Sequence, residues 1–390
     1  LSPMVSIFAA SEHFSRMLIR TPSLLLEVME PGNGGHALSS GALRSEIDAA
    51  IEKASMITDK LDALRRFKKR EELRIGMADL AGSLAFPAVC RSLSRLAEVC
   101  LDAAFRLAAS ETAKRFTAES TDDSGCRIVI IAAGKMGGRE LIYGSDMDVL
   151  FVYDEDAKKK PPAGLSRFEL ASKVAEKTIA YLTTMTREGA AYRVDARLRP
   201  TGSKGPLVSS RPAFKDYYAE KAAPWERQAM INARFIAGDA RLGLDIIDDL
   251  RKTVYHEESP KELGYAVRSM RSRMEAELGQ EDGNAYNVKQ GKGGLVDIEF
   301  LAQYLQLLHG ADHPRVRVPG TVNALRSLRR EKLLSADDGA RLIEAYLFLR
   351  RLESRMRVVA NLSTSRLSRD PGKIGPLARR MGYQNEDRTA

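Results

Sequence analysis

The sequence predicts an α+β fold, a sheet core set between two helical regions, and three observations carry that expectation. Apolar residues over roughly the first 120 positions recur three and four apart, as a helix face requires. Short β-branched runs then appear at Arg127–Ala133 (RIVIIAA) and Met147–Tyr153 (MDVLFVY). Helical spacing returns after about residue 245. The expected organisation is a helical region over 1–120, a mixed domain over 121–245 and a helical bundle over 246–390, cut short at its end.

In the first region Leu61, Leu64 and Phe67 mark one helix face, and Leu93, Leu96, Val99 or Cys100, Ala103 and Leu107 mark another. Between them Arg65–Arg74 (RRFKKREELR) looks like a nucleic-acid patch. Its Glu71 and Glu72, with Phe67, Leu73 and Ile75 interleaved, favour a solvated helix face instead. Pro31–Ser40 (PGNGGHALSS) is expected to be a loop, and TDDSGC, from Thr121, a turn into the first strand. A Gly-rich turn, Gly134-Lys135-Met136-Gly137-Gly138, separates the two strands, and the polar stretch Glu155–Gly164 should form an exposed loop. Ser166 and Glu169 stand at capping-box spacing before Phe168, Ala171, Ala175, Thr178, Leu182 and Met185, the expected buried face of a helix. Gly189 ends that unit, and Tyr192–Arg197 (YRVDAR) is expected to be a third strand. Near the end, Ser335 and Asp338 resemble a cap for a helix that buries Leu342, Tyr346, Leu349, Leu352, Met356 and Val359.

Composition narrows the function. Of 390 residues, 44% are apolar and 29% charged, an ordinary globular balance. Three cysteines (Cys90, Cys100, Cys126) cannot build a disulfide framework, which favours a reducing, cytoplasmic setting. The longest apolar run, Ile128–Ala133, falls far short of the ~20 residues that span a bilayer, and no signal peptide opens the chain. It starts at Leu1 rather than Met, as a piece of something longer would. Lys and Arg number 61 against 52 Asp and Glu, a net charge of +9 that can serve nucleic acid, phosphorylated ligands or nothing specific. One Trp and 6% aromatics leave few stacking platforms, which argues against nucleic acid.

The informative segment is Gly144-Ser145-Asp146-Met147-Asp148. Strand side chains alternate, so Asp146 and Asp148 share a face, and two close carboxylates repel unless a cation bridges them or one is protonated. Hard oxygen donors at that spacing suit Mg²⁺, and the amides of Gly144 and Ser145 are placed to cradle a phosphate. A solvated strand end is the competing account of such a D-x-D. Asp195, with Arg193 and Arg197 on the same strand face, offers a third carboxylate for a two-metal phosphoryl-transfer site, or a plain ion-pair partner for either arginine. Lys135, Arg199 and Lys204 add positive charge nearby. P-loop and G-x-G-x-x-G spacings are absent. His309 and His313 read as incidental loop residues, and the cysteines as inert thiols.

Several long blocks, in order, resemble the glutamine synthetase adenylyltransferase family: AGKMGGRELIYGSDMDVLFVYD from Ala133, YRVDARLRPTGSKGPLVSS from Tyr192, WERQAMINARFIAGD from Trp225, GKGGLVDIEFLAQYLQL from Gly291 and YLFLRRLESRMRV from Tyr346. PSLLLEVMEP at Pro22–Pro31 extends the resemblance over nearly the whole chain. It implies a nucleotidyltransferase domain of the polymerase-beta type, with Asp146, Asp148 and Asp195 binding Mg²⁺. It also implies a reaction in which a tyrosine of glutamine synthetase attacks the α-phosphate of ATP. On that basis Asp195 is the candidate to help deprotonate the tyrosine, whose free pKa is ~10. Lys135, Arg197 and Arg199, with Gly144 and Ser145, are the candidate nucleotide contacts, and Asp297 and Glu299 either face the site or start a helix. Full-length members carry two related halves, one attaching AMP and one removing it by phosphorolysis, under control of PII signal protein and glutamine. This chain has the length of one half, and VDARLRP and VDIEFLAQY resemble the attaching half more closely. The alternatives are the removing half, a nucleotidyltransferase acting on RNA, and a fragment that only docks.

Overall fold

The computed structural model of the chain describes residues 7–8, 11–29, 39–116, 126–154, 165–256, 259–279, 281–360 and 365–383. The loop expected at Glu155–Gly164, and nearly all of those at Pro31–Ser40 and TDDSGC, lie outside these residues. Helices lead the described part of the chain, among them α1 Glu12–Arg20, α2 Ser23–Met29, α3 Ser40–Glu52, α4 Ile57–Leu80 and α5 Phe86–Phe116. The sheet region follows, with β1 Ile128–Ala132, the single turn α6 Gly134–Gly137, β2 Met147–Tyr153, α7 Arg167–Thr183, β3 Val194–Asp195 and β4 Val208–Ser210. After β4 come α8 Arg211–Asp216, a π-helical turn Tyr217–Lys221, α9 Pro224–Met230, β5 Arg234–Gly238 and α10 Ala240–Val254. The chain then forms α11 Pro260–Leu278, β6 Ala285–Asn287, α12 Leu295–His309, α13 Thr321–Arg330, α14 Ala336–Ala360, β7 Arg366–Ser368 and α15 Pro371–Met381. It is an α+β protein, mostly helical around a mixed sheet.

The main sheet runs β3-β2-β1-β5, and β4 pairs with the far end of the same β2 edge that β3 occupies. β1 is antiparallel to β2 and β5, whereas β3 and β4 lie parallel to β2. Both faces of β1 and β2 are covered, so their runs are continuously apolar rather than alternating. One face (Ile128, Ile130, Val149, Phe151) joins a core with α4, α5 and α7; the other (Val129, Ile131, Leu150, Val152) packs on Leu242, Ile246 and Leu250 of α10. Leu295, Ile298, Leu325 and Tyr346 form a third cluster among α12, α13 and α14. The N-terminal and C-terminal helical regions also meet, since Ser11 Oγ donates to the carbonyl of Val358 at 3.1 Å.

Local signals predicted several boundaries. Ser166 and Glu169 form the expected capping box, and Ser335 Oγ accepts from the amide of Asp338 at 3.0 Å. In α7 the expected Ala171, Ala175, Thr178 and Leu182 are buried, joined by Leu170 and Val174, whereas Phe168 is exposed, as is Met185 beyond the helix end. The third strand shrinks to Val194–Asp195.

The solvated face expected for Arg65–Arg74 is a misreading. Arg65, Glu71, Glu72 and Arg74 are buried, because α4 is enclosed by α3, α5 and the end of α7. Arg65 donates to the carbonyls of Gly189 (2.6 Å), Leu61 (2.8 Å), Tyr181 (3.0 Å) and Thr184 (2.6 Å), so one guanidinium closes the C-terminus of α7 and the turn after it. Glu72 is ionised although burial opposes it, since Lys68 and His13 hold its carboxyl down at about 2.

Two outcomes follow. Arg65→Met strands those carbonyls and should cost about 3–5 kcal/mol in urea unfolding, and Arg65→Lys should recover only part of it. The stabilisation from Glu72 is full above the ordinary glutamate pKa of ~4.3 and is lost as pH falls from there towards its folded value. Wild type and Glu72→Gln should therefore differ in stability at pH 6 and converge only at about pH 2 and below.

Candidate active site

Two adjacent strands assemble the acidic group. β2 and β3 pair in parallel with Met147 opposite Val194 and Asp148 opposite Asp195. The amide of Met147 also donates to the carbonyl of Arg193 at 3.0 Å, which carries the pairing back to Asp146. Asp148 continues the side-chain row of Leu150 and Val152, with its carboxylate at the sheet end beside α6. There Gly134 is required twice over. Its φ is +52°, and a Cβ on it would lie 2.4 Å from Asp148 Oδ2. Gly137 is equally constrained, since its Cβ would meet the carbonyl of Asn232 at 2.0 Å.

The three carboxylates differ in state. Burial, then the charges of Asp195 and Asp146, push the Asp148 carboxyl up to about 6, against the pull of Lys289 and Lys135. Asp195 is held below the usual range by its hydrogen bonds from Arg197, whose amide (2.9 Å) and guanidinium Nε (3.0 Å) both donate to it. That pairing makes Asp195 a weak base while it lasts. Asp146 accepts from Arg193 Nε at 2.5 Å, and Arg193 Nη2 donates to the carbonyl of Gly144 at 2.9 Å. With Asp146 and Asp195 each turned to an arginine, no three carboxylate, histidine or cysteine side chains converge as a metal cage among the described residues.

The basic residues fall into two groups. Arg193 and Arg197 are exposed guanidiniums at the acidic edge. Arg199 instead donates to the carbonyls of Ala196 (2.7 Å) and Gly205 (3.2 Å), holding closed the loop that carries Lys204, which is exposed. Lys135 forms an ion pair with Glu299 of α12 and donates to the Tyr346 hydroxyl of α14 at 2.9 Å. Glu299 therefore faces the Gly-rich turn. Asp297 does not: it accepts from the amide of Gly293 at 2.6 Å and from Arg271, the helix-start role. The amide of Ser145 is spent on the carbonyl of Ile142 (3.1 Å) and so is not free to cradle a phosphate. Burial pushes the Cys90 and Cys100 thiols up to about 12, in keeping with inert cysteines.

Lys289 was not legible as part of this neighbourhood. Lys289 precedes α12 and lies close enough for its charge to favour ionised Asp148. Its place beside GKGG in a block already singled out was the only available signal.

The description "glutamate-ammonia ligase adenylyltransferase" belongs to the family model that matches residues 1–248, and residues 267–390 match a second, "GlnD PII-uridylyltransferase". Similar curated proteins are the bifunctional glutamine synthetase adenylyltransferase/adenylyl-removing enzymes of Nitrosococcus oceani (34% identical, over 92% of this chain and 38% of that protein), Methylococcus capsulatus (36%, over 89% and 38%) and Pseudomonas aeruginosa (33%, over 93% and 37%). The chain thus spans well under half the length of these relatives. It belongs to the glutamate-ammonia ligase adenylyltransferase family.

The Lys135–Glu299 pair joins the Gly-rich turn to α12 with both side chains largely buried. Lys135→Met should therefore cost about 3 kcal/mol in urea unfolding by stranding Glu299. Adding Glu299→Leu should return more than half of that, a coupling read directly from the double-mutant cycle.

Proposed function

We propose that residues 121–245 form a polymerase-beta-like nucleotidyltransferase domain, supported by helical regions over 1–120 and 246–390, that transfers AMP from ATP to a tyrosine of glutamine synthetase. The observation that carries this reading is Asp148 in register with Asp195, with Asp146 two residues away, in a chain of this family. An edge so crowded with like charge is costly unless it handles cations and phosphates.

Magnesium fits the chemistry of the donor set, since all three groups are hard carboxylate oxygens, once Arg193 and Arg197 release Asp146 and Asp195. Asp146, Asp148 and Asp195 would hold it, and bound there it would neutralise charge on the transferring phosphoryl and on the departing pyrophosphate. The chain's own residues do the rest. Arg197 turns from Asp195 to the nucleotide phosphates, Lys135 adds positive charge from the Gly-rich turn, and Arg199 keeps the neighbouring loop in place. Asp195, freed of Arg197, takes the proton of the acceptor tyrosine as its oxygen bonds to the α-phosphorus and the bond to pyrophosphate breaks.

A second reading is supported by the printed name of the relatives, which joins attachment and removal in proteins more than twice as long. In it, inorganic phosphate attacks the α-phosphorus of the modified tyrosine, the tyrosine leaves and ADP forms. PII signal protein is the regulatory partner proposed with either direction. The proposed setting is the reducing cytoplasm, in keeping with three free cysteines. No described helix is long and apolar enough to cross a membrane.

An AMP-transfer assay with Mg-ATP and glutamine synthetase, run also in reverse with adenylylated glutamine synthetase and phosphate, tests both. The forward reaction should proceed, and Asp146→Ala or Asp148→Ala should each lower it by about a hundredfold or more. Undiminished transfer by both variants would remove the acidic edge from the mechanism.

A further inference from the structure

Gly144, Ser145 and Asp146 end a loop, residues 139–146, that connects α6 to β2. One flank of it borders a cavity of about 190 Å³, lined by Leu141, Ile142, Gly144 and Ser145 from the loop and by Leu93 and Leu96 from α5. Leu141 and Tyr143 nonetheless pack into the core, so burial holds the middle of the loop and the cavity lies beside Gly144 and Ser145 near its end. Directed bonds hold it as well. The Tyr143 hydroxyl donates to Asp79 Oδ2 of α4 at 3.1 Å. The same carboxylate receives Arg355 of α14 through two nitrogens, Nη1 to Oδ2 at 2.7 Å and Nη2 to Oδ1 at 2.8 Å. Arg355 Nη2 also reaches the Asp79 carbonyl at 3.3 Å, and Arg357 Nη1 the Tyr143 carbonyl at 3.5 Å. Tyr143, Asp79 and Arg355 are 2%, 4% and 5% exposed, so water does not substitute for these bonds. Asp79 and Arg355 are 276 residues apart in the chain.

We propose that Tyr143, Asp79 and Arg355 form a positioning unit for the acidic edge, through which a helix from each end of the chain jointly sets the stance of Gly144–Asp146. A well-packed apolar trio would join two helices as firmly, or more firmly, than a buried ion pair. The fork of Arg355 on one carboxylate, with a hydroxyl on the same carboxylate, adds direction: it admits one placement of Tyr143. Asp146 is three residues further on, within about 11 Å of extended chain, so little slack separates the two. The consequence for turnover rests on the nucleotidyltransfer reading; the placement of the loop does not.

The test uses the whole chain with Tyr143→Phe, which keeps the ring and its edge-on contact with Phe14 (5.5 Å between centroids) and loses only the hydroxyl. Arg355→Lys is the second variant, keeping the charge and losing the fork. Amide hydrogen exchange should rise about tenfold or more over residues 140–147 in both variants and stay unchanged in β1. AMP transfer should lose about 10–100-fold in kcat, with KM for ATP within about threefold of wild type. Uniformly faster exchange, or none, or a lowered melting temperature with full kcat, would overturn the proposal and leave the trio a structural ion pair. If wild type transfers no AMP, the nucleotidyltransfer reading fails, and the local exchange result still decides the positioning unit.

Discussion

The pairing of Asp148 with Asp195 across β2 and β3 is the constraint on which the acidic edge depends. In a parallel pair at register, like charges on neighbouring strands repel, and partial burial strengthens the repulsion. Each compensation is visible nearby. Arg197 takes Asp195, Arg193 takes Asp146, and Asp148, which has no arginine of its own, carries the upward-shifted carboxyl. Lys289 and Lys135 temper it from the C-terminal region and from the Gly-rich turn. Part of the chain's excess of basic residues is thus committed locally.

The same edge explains why so much helix surrounds so small a sheet. The segment from Gly134 to Asp146 has little regular structure of its own, so its backbone groups find partners on other elements. Ser94 of α5 accepts from the amide of Leu141, and Arg234 of β5 donates to the carbonyl of Gly137 while pairing with Glu98. From the other side Arg350 reaches the carbonyl of Glu140, and the Glu140 carboxylate accepts from the amide of Thr321 at 2.9 Å. The helical regions thus supply hydrogen-bond partners on two sides of one loop.

Legibility followed the range of the information. β1 and β2 were visible because strands covered on both faces are continuously apolar, and the Ser166 and Ser335 caps because their partners lie three residues away. β5 was missed: at the sheet edge its residues are half-buried, and RFIAG shows neither a continuous run nor clean alternation. Arg65–Arg74 misled for a related reason. A charge-rich helix reads as solvated unless one knows that Arg65 ends on carbonyls 116 to 124 residues away.

Residue types at short spacing were enough, from the sequence alone, to determine the α+β class, the two central strands, the D-x-D at the mouth of the second and the family resemblance. The tertiary structure alone decided which distant charges meet: Asp146 with Arg193, Lys135 with Glu299 and Asp79 with Arg355. The physical reason is that periodicity records which way a side chain points from its own helix or strand. Its counter-charge is chosen by how those elements pack, across separations of up to 276 residues.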